Sequence, residues 1–465
     1  MEIGYKGRWA DCKLQSLYIL IPLYLFTFLP FYLFNNTAFA QDKKLFSLKE
    51  AVAYALANNV NCLNAEIDAS IAKAKKNEVI GAGLPQISGS FDTKDFVQLP
   101  TSLLPAQVFG GAPGTFIPVK FGTQYNTTAG ISASQGIFNT EFIGALHSTK
   151  VVMELSEKNF QRTRIETTVI VSKAYYTVLV NRQRLKLLYA NLERIKKLSD
   201  DTKIMNENGV VEKIDVDRVT VAYNNLLSEK EKIERMVTLT ENLLKFQMGL
   251  GQQTPIVLSD SLNMDDMPNA ALSVTDKMNY ASRIEYSMMT SQKQLNELDL
   301  KKNNMAYLPN FFLYGSASAQ AMRSKFDIYD TKQKWYPFGI VGATITVPIF
   351  DGFQKHYRIQ QSKLNLVKTM NTMNNLENAI DMEVASAKTS YQNALSSLAI
   401  QKENIKLAQG VYDVTKKKYD AGVGSNLEVM TAETSQKEAQ TNFYNALYDY
   451  YIAKIDYEKA TGVIK

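Results

Sequence analysis

Histidine and cysteine are nearly absent, with two of each in 465 residues. A Cys/His metal site needs several such ligands close together, and a disulfide framework needs several pairs of cysteines, so both are excluded. Proline is scarce as well: there are twelve, none between Pro118 and Pro255 and none after Pro348. Two long stretches are therefore free of the residue that breaks helices. The formal charge of +6 is small and dispersed, which argues against a nucleic-acid partner. No nucleophile–base arrangement or phosphate loop stands out, so an enzyme is the weakest class and no cofactor is expected. What remains, 45% hydrophobic and 21% charged residues at a mean hydropathy of −0.20, suits a folded chain.

The N-terminus reads as an export signal over residues 1–40. Lys6, Arg8 and Lys13 precede an apolar run from Leu14 to Phe34, and Ala38-Phe39-Ala40 forms a small-x-small cleavage site. A membrane anchor is the competing reading, since the run is long enough to span a bilayer; Pro22, Pro30 and the Ala-Phe-Ala favour cleavage. The residue after the cut is Gln41, not Cys, so no lipid anchor is expected there. No later apolar stretch approaches the ~20 residues of a transmembrane helix.

The rest of the chain is written twice. NENGVVEKIDV around Gly209 matches YDAGVGSNLEV around Gly422, 213 residues on, and FQMGL matches KATGV at the same offset. Gly130–Phe138 matches Gly342–Phe350, and Leu84-Pro85-Gln86 matches Leu308-Pro309-Asn310. Both copies open with a Ser-x-x-acid capping box, at Ser47–Glu50 and Ser273–Asp276. A period above 200 residues indicates a duplicated domain, with repeats 47–250 and 273–463 joined by a linker at 251–272.

Each copy is expected to run helix, strand, strand, long helix, tight turn, helix. Period-2 alternation marks strands in the segments Gln86–Asp92, Tyr125–Ser134, Phe311–Gln320 and Val341–Ile349. These segments approach the ~9–11 residues of a tilted membrane strand, although alternation alone also fits an ordinary half-buried sheet. The stretches with Pro100, Pro105, Pro113 and Pro118, and with Pro337, read as surface loops. A 3-4 spacing from Ile380 to Tyr419 predicts a helix over Phe353–Tyr419, roughly 100 Å long at ~1.5 Å per residue. In the last helix, aromatic residues and alanines each recur every seven residues through Ala439, Phe443, Ala446, Tyr450, Ala453, Tyr457 and Ala460. The first copy follows with Val219, Leu226, Ile233, Val237 and Leu244, departing at Lys230 and Thr240. A 3.5-residue period specifies coiled-coil packing. Four strands cannot close a membrane barrel, whose smallest form has about eight, so other copies must complete it.

With its Leu-Pro before strands one and three, its Ile-Phe-Asn and Ile-Phe-Asp after strands two and four, and its two Gly-Val-x-x-x-[Ile/Leu]-[Asp/Glu]-Val turns, the sequence resembles TolC-type outer-membrane efflux proteins. The resemblance covers Ser47 to Val463. It implies a mixed α and β fold: an outer-membrane β-barrel of four strands per chain, 12 in a homotrimer, continuous with a long periplasmic α-helical coiled-coil barrel. Function would be export through an outer-membrane channel and periplasmic tunnel, working with a periplasmic adaptor and an inner-membrane pump of the resistance or ABC type. Outer-membrane lipid would surround the barrel. An exit duct for type I protein secretion is the alternative within transport; a periplasmic coiled-coil scaffold is the alternative of another class, but does not account for two pairs of membrane-length strands.

The resemblance implies that the hairpin tips Gly209, Val210, Gly422, Val423 and Ser425 receive the adaptor, although a helical hairpin requires glycine and serine there in any case. Glu428 matches a pore-lining acid of the closed end; the competing role is a helix cap. Asp215 is its first-copy counterpart, and Asp217 lies nearby. Thr431 stands where some members carry a second acid, which argues against a strong double acidic ring. His147 and His356 read as polar lining residues, Cys62 as a buried thiol and Ser228–Arg235 as a solvated coiled-coil face.

Overall fold

The computed structural model describes residues 44–262 and 279–464. The export signal, the second capping box at Ser273–Asp276 and much of the expected linker lie outside them. The first half runs β1 (Lys44–Phe46), α1 (Leu48–Asn58), α2 (Val60–Ala82), β2 (Gln86–Asp95), β3 (Thr101–Pro105), β4 (Phe116–Lys120), β5 (Tyr125–Phe138), α3 (Thr140–Glu207) and α4 (Lys213–Met248). After β6 (Ile256–Leu258) come α5 (Ile284–Met305), β7 (Asn310–Arg323), β8 (Tyr336–Thr346), α6 (Gln354–Asp420) and α7 (Asn426–Ala460). In both halves two membrane-length strands are followed by a helix of 67 or 68 residues, a tight turn and a helix of 35 or 36.

Three features depart from the sequence expectation. The proline-bearing stretch of the first half is not all loop: β3 and β4 pair as an antiparallel hairpin, with Pro105 opposite Phe116 and Pro118 opposite Leu103. A two-stranded ladder tolerates proline because each strand keeps a free edge. Pro337 likewise lies within β8, which begins at Tyr336 and ends at Thr346, so Val347 and Ile349 fall beyond it. Pro337 is the second residue of β8, at the end of the strand, where a missing amide costs the ladder little. Finally, the segment read as a linker contains β6, which pairs in parallel with β1 through Lys44↔Ile256, Leu45↔Val257 and Phe46↔Leu258.

This small sheet is tied to the long helix. The Tyr175 hydroxyl on α3 donates to the Phe46 carbonyl at 3.0 Å and to Asp260 Oδ2 at 2.8 Å, and the same carboxylate oxygen accepts from the Leu48 amide at 3.0 Å. Ser47 caps α1 with the complete capping box, Glu50 bonding back to the Ser47 amide at 2.8 Å. Asn139 starts α3 by accepting from the Glu141 and Phe142 amides, and Asp351 accepts from the Lys355 amide at the start of α6. A polar residue just ahead of each long helix thus accepts from the amides of its first turn.

The heptad positions of α7 are buried: Ala439, Phe443, Ala446, Tyr450, Ala453, Tyr457 and Ala460 are all inside, joined by Tyr444, Leu447 and Ile455. They meet Tyr391, Ala394 and Leu398 of α6, with Tyr391 and Tyr450 rings 5.7 Å apart. Nearer the tips, Leu188, Ile195 and Leu198 of α3 pack with Val219, Leu226 and Ile233 of α4 and with Val429. Each fully buried large apolar side chain contributes about 1.5–3 kcal/mol. The two departures from the register are accommodated. Thr240 is buried with its hydroxyl on the Met236 and Val237 carbonyls, and Lys230 lies 5.1 Å from the Tyr189 ring centroid while pairing with Glu234 at 3.0 Å. The Ser228–Arg235 stretch is more than a wet face, since Glu229 reaches Lys437 on α7.

Burial of Tyr450, 1% exposed, holds its hydroxyl above the ordinary phenol range. Tyr450→Asp places a charge in that site and is expected to destabilise the chain by about 3 kcal/mol or more, read as the shift in denaturant midpoint. An unchanged midpoint would mean that the ring does not fill the seam.

Candidate channel surfaces and hairpin tips

β2, β5, β7 and β8 form one antiparallel sheet in that order. Residues opposite one another across antiparallel strands share a face, so the register assigns every side chain. One face carries the rows Ile87–Ala133–Gly315–Val341, Gly89–Ile131–Ala317–Gly339 and Phe91–Ala129–Ala319–Pro337, then Leu313–Ala343 and Phe311–Ile345. The other carries Ser88–Ser132–Ser316–Ile340, Asp92–Thr128–Gln320–Tyr336 and Lys94–Asn126–Met322. Apolar side chains dominate the first face and hydroxyl, amide and charged groups the second, with Ser88 and Ser132 bonded at 2.9 Å. Across these rows the first face is open, with Ile87 73% exposed and Val341 93%, whereas further along the same face Thr127, Ala321 and Arg323 are buried. A sheet in water buries its apolar face against a second layer, whereas a membrane barrel turns that face to lipid and its polar face inward. Where the chain leaves β8 for α6, Ile349, Phe350 and Phe353 are exposed as well, in keeping with an aromatic girdle at a membrane interface.

The helices α3, α4, α6 and α7 all stop in the same way. Gly209, Gly249, Gly422 and Gly462 have φ between 71° and 75°. In each, the amide of the next residue reaches back over the last turn, as Val210 to the Met205 carbonyl at 2.9 Å and Val423 to the Lys418 carbonyl at 3.0 Å. This closing pattern needs a left-handed residue and so selects glycine. At the two tips a Cβ added to Gly209 or Gly422 would meet nothing within 4 Å, so conformation alone demands glycine there. Val210 and Val423 are 71% and 80% exposed, although the residue at this place usually folds back on its helix. Each tip thus presents an uncovered apolar side chain.

Ser425 restarts the chain, its Oγ accepting from the Glu428 amide at 3.2 Å. The expected reciprocal bond from Glu428 to the Ser425 amide does not form, so the box is half made and the exposed Glu428 carboxylate is left to solvent. Asp215, half-buried, lies 3.4 Å from Arg218 in the first turn of α4, and Asp217 is exposed on the next turn. Thr431 is turned back on its own helix, donating to the Leu427 carbonyl at 2.8 Å. His147 bonds to the Ile143 carbonyl at 2.8 Å and His356 is exposed beside Tyr357; Cys62 is buried with its thiol 3.2 Å from the Thr167 hydroxyl. The periodicity gives no signal of a charged and amide layer within the coiled coil, in which buried Glu433, Gln436 and Gln440 meet the half-buried Arg194.

A strand sheet with one apolar and one polar face, leading directly into coiled-coil hairpins of 67- and 68-residue helices, is the fold of outer-membrane channel proteins. CusC, a solved transmembrane channel, superposes with a TM-score of 0.72 at 14% identity, over 89% of this chain and 92% of CusC. Residues 292–463 match the family model for outer membrane efflux protein. The outer membrane protein TolC of Escherichia coli strain K12 is 22% identical over 356 residues, 73% of this chain and 70% of TolC. The alkaline protease secretion protein AprF of Pseudomonas aeruginosa is 21% identical over 335 residues, 70% of this chain and 67% of AprF. The chain thus has the fold of outer-membrane channels, carries the outer membrane efflux protein pattern over residues 292–463, and is similar to TolC along most of its length.

Replacing Ser425 with Ala removes the cap of α7 and is expected to cost about 0.5–2 kcal/mol. Glu428→Gln leaves that cap in place and is expected to leave stability within ~0.5 kcal/mol. Thermal unfolding of the two variants side by side checks the difference.

Proposed function

We propose that three copies of the chain close their sheets into a 12-stranded outer-membrane barrel, continued into the periplasm by a tunnel of α3, α4, α6 and α7, through which substrates leave the cell. The observation that carries this reading is the sheet itself: it ends in two open strands, β2 and β8, with its apolar face uncovered along both. Open strand edges are not tolerated in lipid, so β2 of one copy pairs with β8 of the next. The matched succession of elements in residues 47–250 and 273–463 supports a duplication, so that each copy supplies two pseudo-equivalent staves.

The tips, Gly209-Val210 and Gly422-Val423 with Ser425, are the docking points for a periplasmic adaptor, itself coupled to an inner-membrane pump. Their exposed valines supply apolar contact without any rearrangement of the turn. Glu428, with Asp215 and Asp217, forms the constriction of the closed end; an acidic mouth favours cations. AprF bears a secretion protein's name, which supports an exit duct for protein as a second use of the same tunnel. The polar sheet face, rich in Ser, Thr, Asn and Gln, is chemically unspecific, and the pump sets the substrate.

Two measurements check the reading. The detergent-extracted protein is expected to run as a stable homotrimer in light scattering, and a monodisperse monomer that binds a full detergent belt would sink it. In planar bilayers Glu428→Gln is expected to reduce cation selectivity and weaken block by multivalent cations while trimer yield stays nearly unchanged; Asp215→Gln is the companion. Unaltered selectivity in both and in the double variant would place the constriction elsewhere on the inner helices.

A further inference from the structure

Between the two apolar clusters of the coiled coil, α7 carries a polar layer. Glu433, Gln436 and Gln440 are 6%, 1% and 7% exposed, and lie between the buried Val429 and Phe443. α3 contributes Asn191 and Arg194, and α6 contributes Gln409 and Tyr412. Asn191 donates to Gln440 Oε1 at 3.0 Å, and Gln436 donates to Gln409. The layer is therefore a place where α3 is joined to the α6–α7 hairpin by hydrogen bonds.

The ion pair within it is poorly made. Arg194 Nη2 is divided among Asn191 Oδ1 at 2.5 Å, Gln436 Oε1 at 3.3 Å and Glu433 Oε1 at 3.4 Å, and the guanidinium carbon stands 5.4 Å from the centre of the Tyr412 ring. A well-formed N–H···carboxylate bond is about 2.7–2.9 Å. Arg194 Nε is buried with no hydrogen-bond partner among the described residues. An ionised carboxylate at Glu433 thus sits desolvated, with only a long contact to the guanidinium and the neutral Tyr412 hydroxyl to offset its burial, an arrangement that costs more than it returns.

The groups around Glu433 are few. Arg194 faces it from α3, and Tyr412 and Lys416 face it from α6; Asp413 and Asp420 act on Tyr412 from the same helix. Lys416 is itself paired with Asp420 at 3.0 Å. Burial raises the Glu433 carboxyl above the usual carboxylate range, against the opposing pull of Arg194, Tyr412 and Lys416. A carboxyl whose folded-state value lies above its unfolded one binds its proton more tightly in the native packing. Its contribution to stability is complete below the unfolded value and is lost as pH rises through the folded one.

We propose that this layer makes the grip of the α6–α7 hairpin on α3 depend on pH, tight with Glu433 protonated and loose with Glu433 ionised. A protonated Glu433 keeps an oxygen for Arg194 and adds a donor to a layer otherwise rich in amide oxygens, whereas the anion leaves the layer one good bond short. The inference deepens the channel reading, in which this hairpin carries one of the two docking tips, and rests on it only to that extent.

Hydrogen exchange of the purified full-length protein in detergent, corrected for the intrinsic rate at each pH, reads the grip directly. Between about pH 8 and about pH 5, protection of the amides near Gln409 and Gln436 is expected to rise by roughly tenfold in the wild type. Glu433→Gln, neutral and of the same shape, is expected to show high protection at both ends and no pH response. Arg194→Met is expected to lose protection at the alkaline end and to recover it in acid, and the double variant to behave as Glu433→Gln does. Should Arg194→Met fail to fold, Tyr412→Phe, which removes a bond that favours the anion, is expected to move the midpoint upward. A flat wild-type profile, or a response that survives in Glu433→Gln, would overturn the proposal. Oligomeric state is measured on the same samples, so loss of the trimer is told apart from loss of the pH response.

Discussion

A helix of 67 or 68 residues draws most of its stability in a folded protein from the packing that covers one stripe of it, not from its intrinsic propensity. α3 and α6 obtain that cover by turning sharply at Gly209 and Gly422 and running back as α4 and α7, so each long helix carries its own partner in the next segment of chain. The seam is then filled by residues that recur every seven positions, aromatic against alanine on α7 and branched aliphatic on α4. Because the large rings of Tyr391, Tyr450 and Tyr457 need small neighbours, the alanines between them are as necessary to the packing as the rings.

In the first half two unlike materials meet one residue apart, and in the second seven residues separate them. β5 ends at Phe138 and α3 begins at Thr140, with Asn139 between them serving as the cap. β8 gives way to α6 through Asp351, Gly352 and Phe353, where a phenylalanine adopts φ 64°, a conformation that costs about 1–2 kcal/mol for a residue with a side chain. The strain lies beside exposed Ile349 and Phe350, at the level where a lipid interface would reward apolar surface. Strand order and helix order are thus coupled through short, capped junctions, and the sheet cannot slide against the helices without breaking a cap.

Polar groups within the seams divide into two kinds. Some are satisfied locally, as Thr202 and Thr240 are by their own helix carbonyls. Others reach across: Arg182 to Glu241 at 2.7 Å, Lys173 to Asp456 at 2.5 Å, and the Arg194 layer to α6 and α7. Arg182–Glu241 ties α3 to α4 within one hairpin, whereas Lys173–Asp456 and the Arg194 layer report on how one hairpin lies against the other. Partly exposed pairs such as Arg182–Glu241 add little to stability but fix register, while the buried Glu433 makes the contact sensitive to its ionisation.

Much of this was legible from residue order alone. Period-2 alternation located four strands to within a few residues, the 3.5-residue period picked out aromatic and alanine side chains of α7 that are buried, and glycine followed by an aliphatic residue marked both tips. These signals are local, set by backbone geometry that repeats along the chain. The capping role of Ser425 was equally readable, because a cap acts within one turn. Three things were decided only in three dimensions. The pairing of β1 with β6 joins residues about 210 positions apart, and three-residue strands are too short to show a period. The β3–β4 hairpin was masked by its prolines, which are harmless on a ribbon whose strands each have a free edge. The polar layer depends on Arg194, Tyr412 and Glu433 arriving at one height on three helices, and each taken singly looks like an ordinary surface residue. Periodicity tells which face of an element is covered; it carries no information on which distant element covers it, and that choice belongs to the packing of the whole chain.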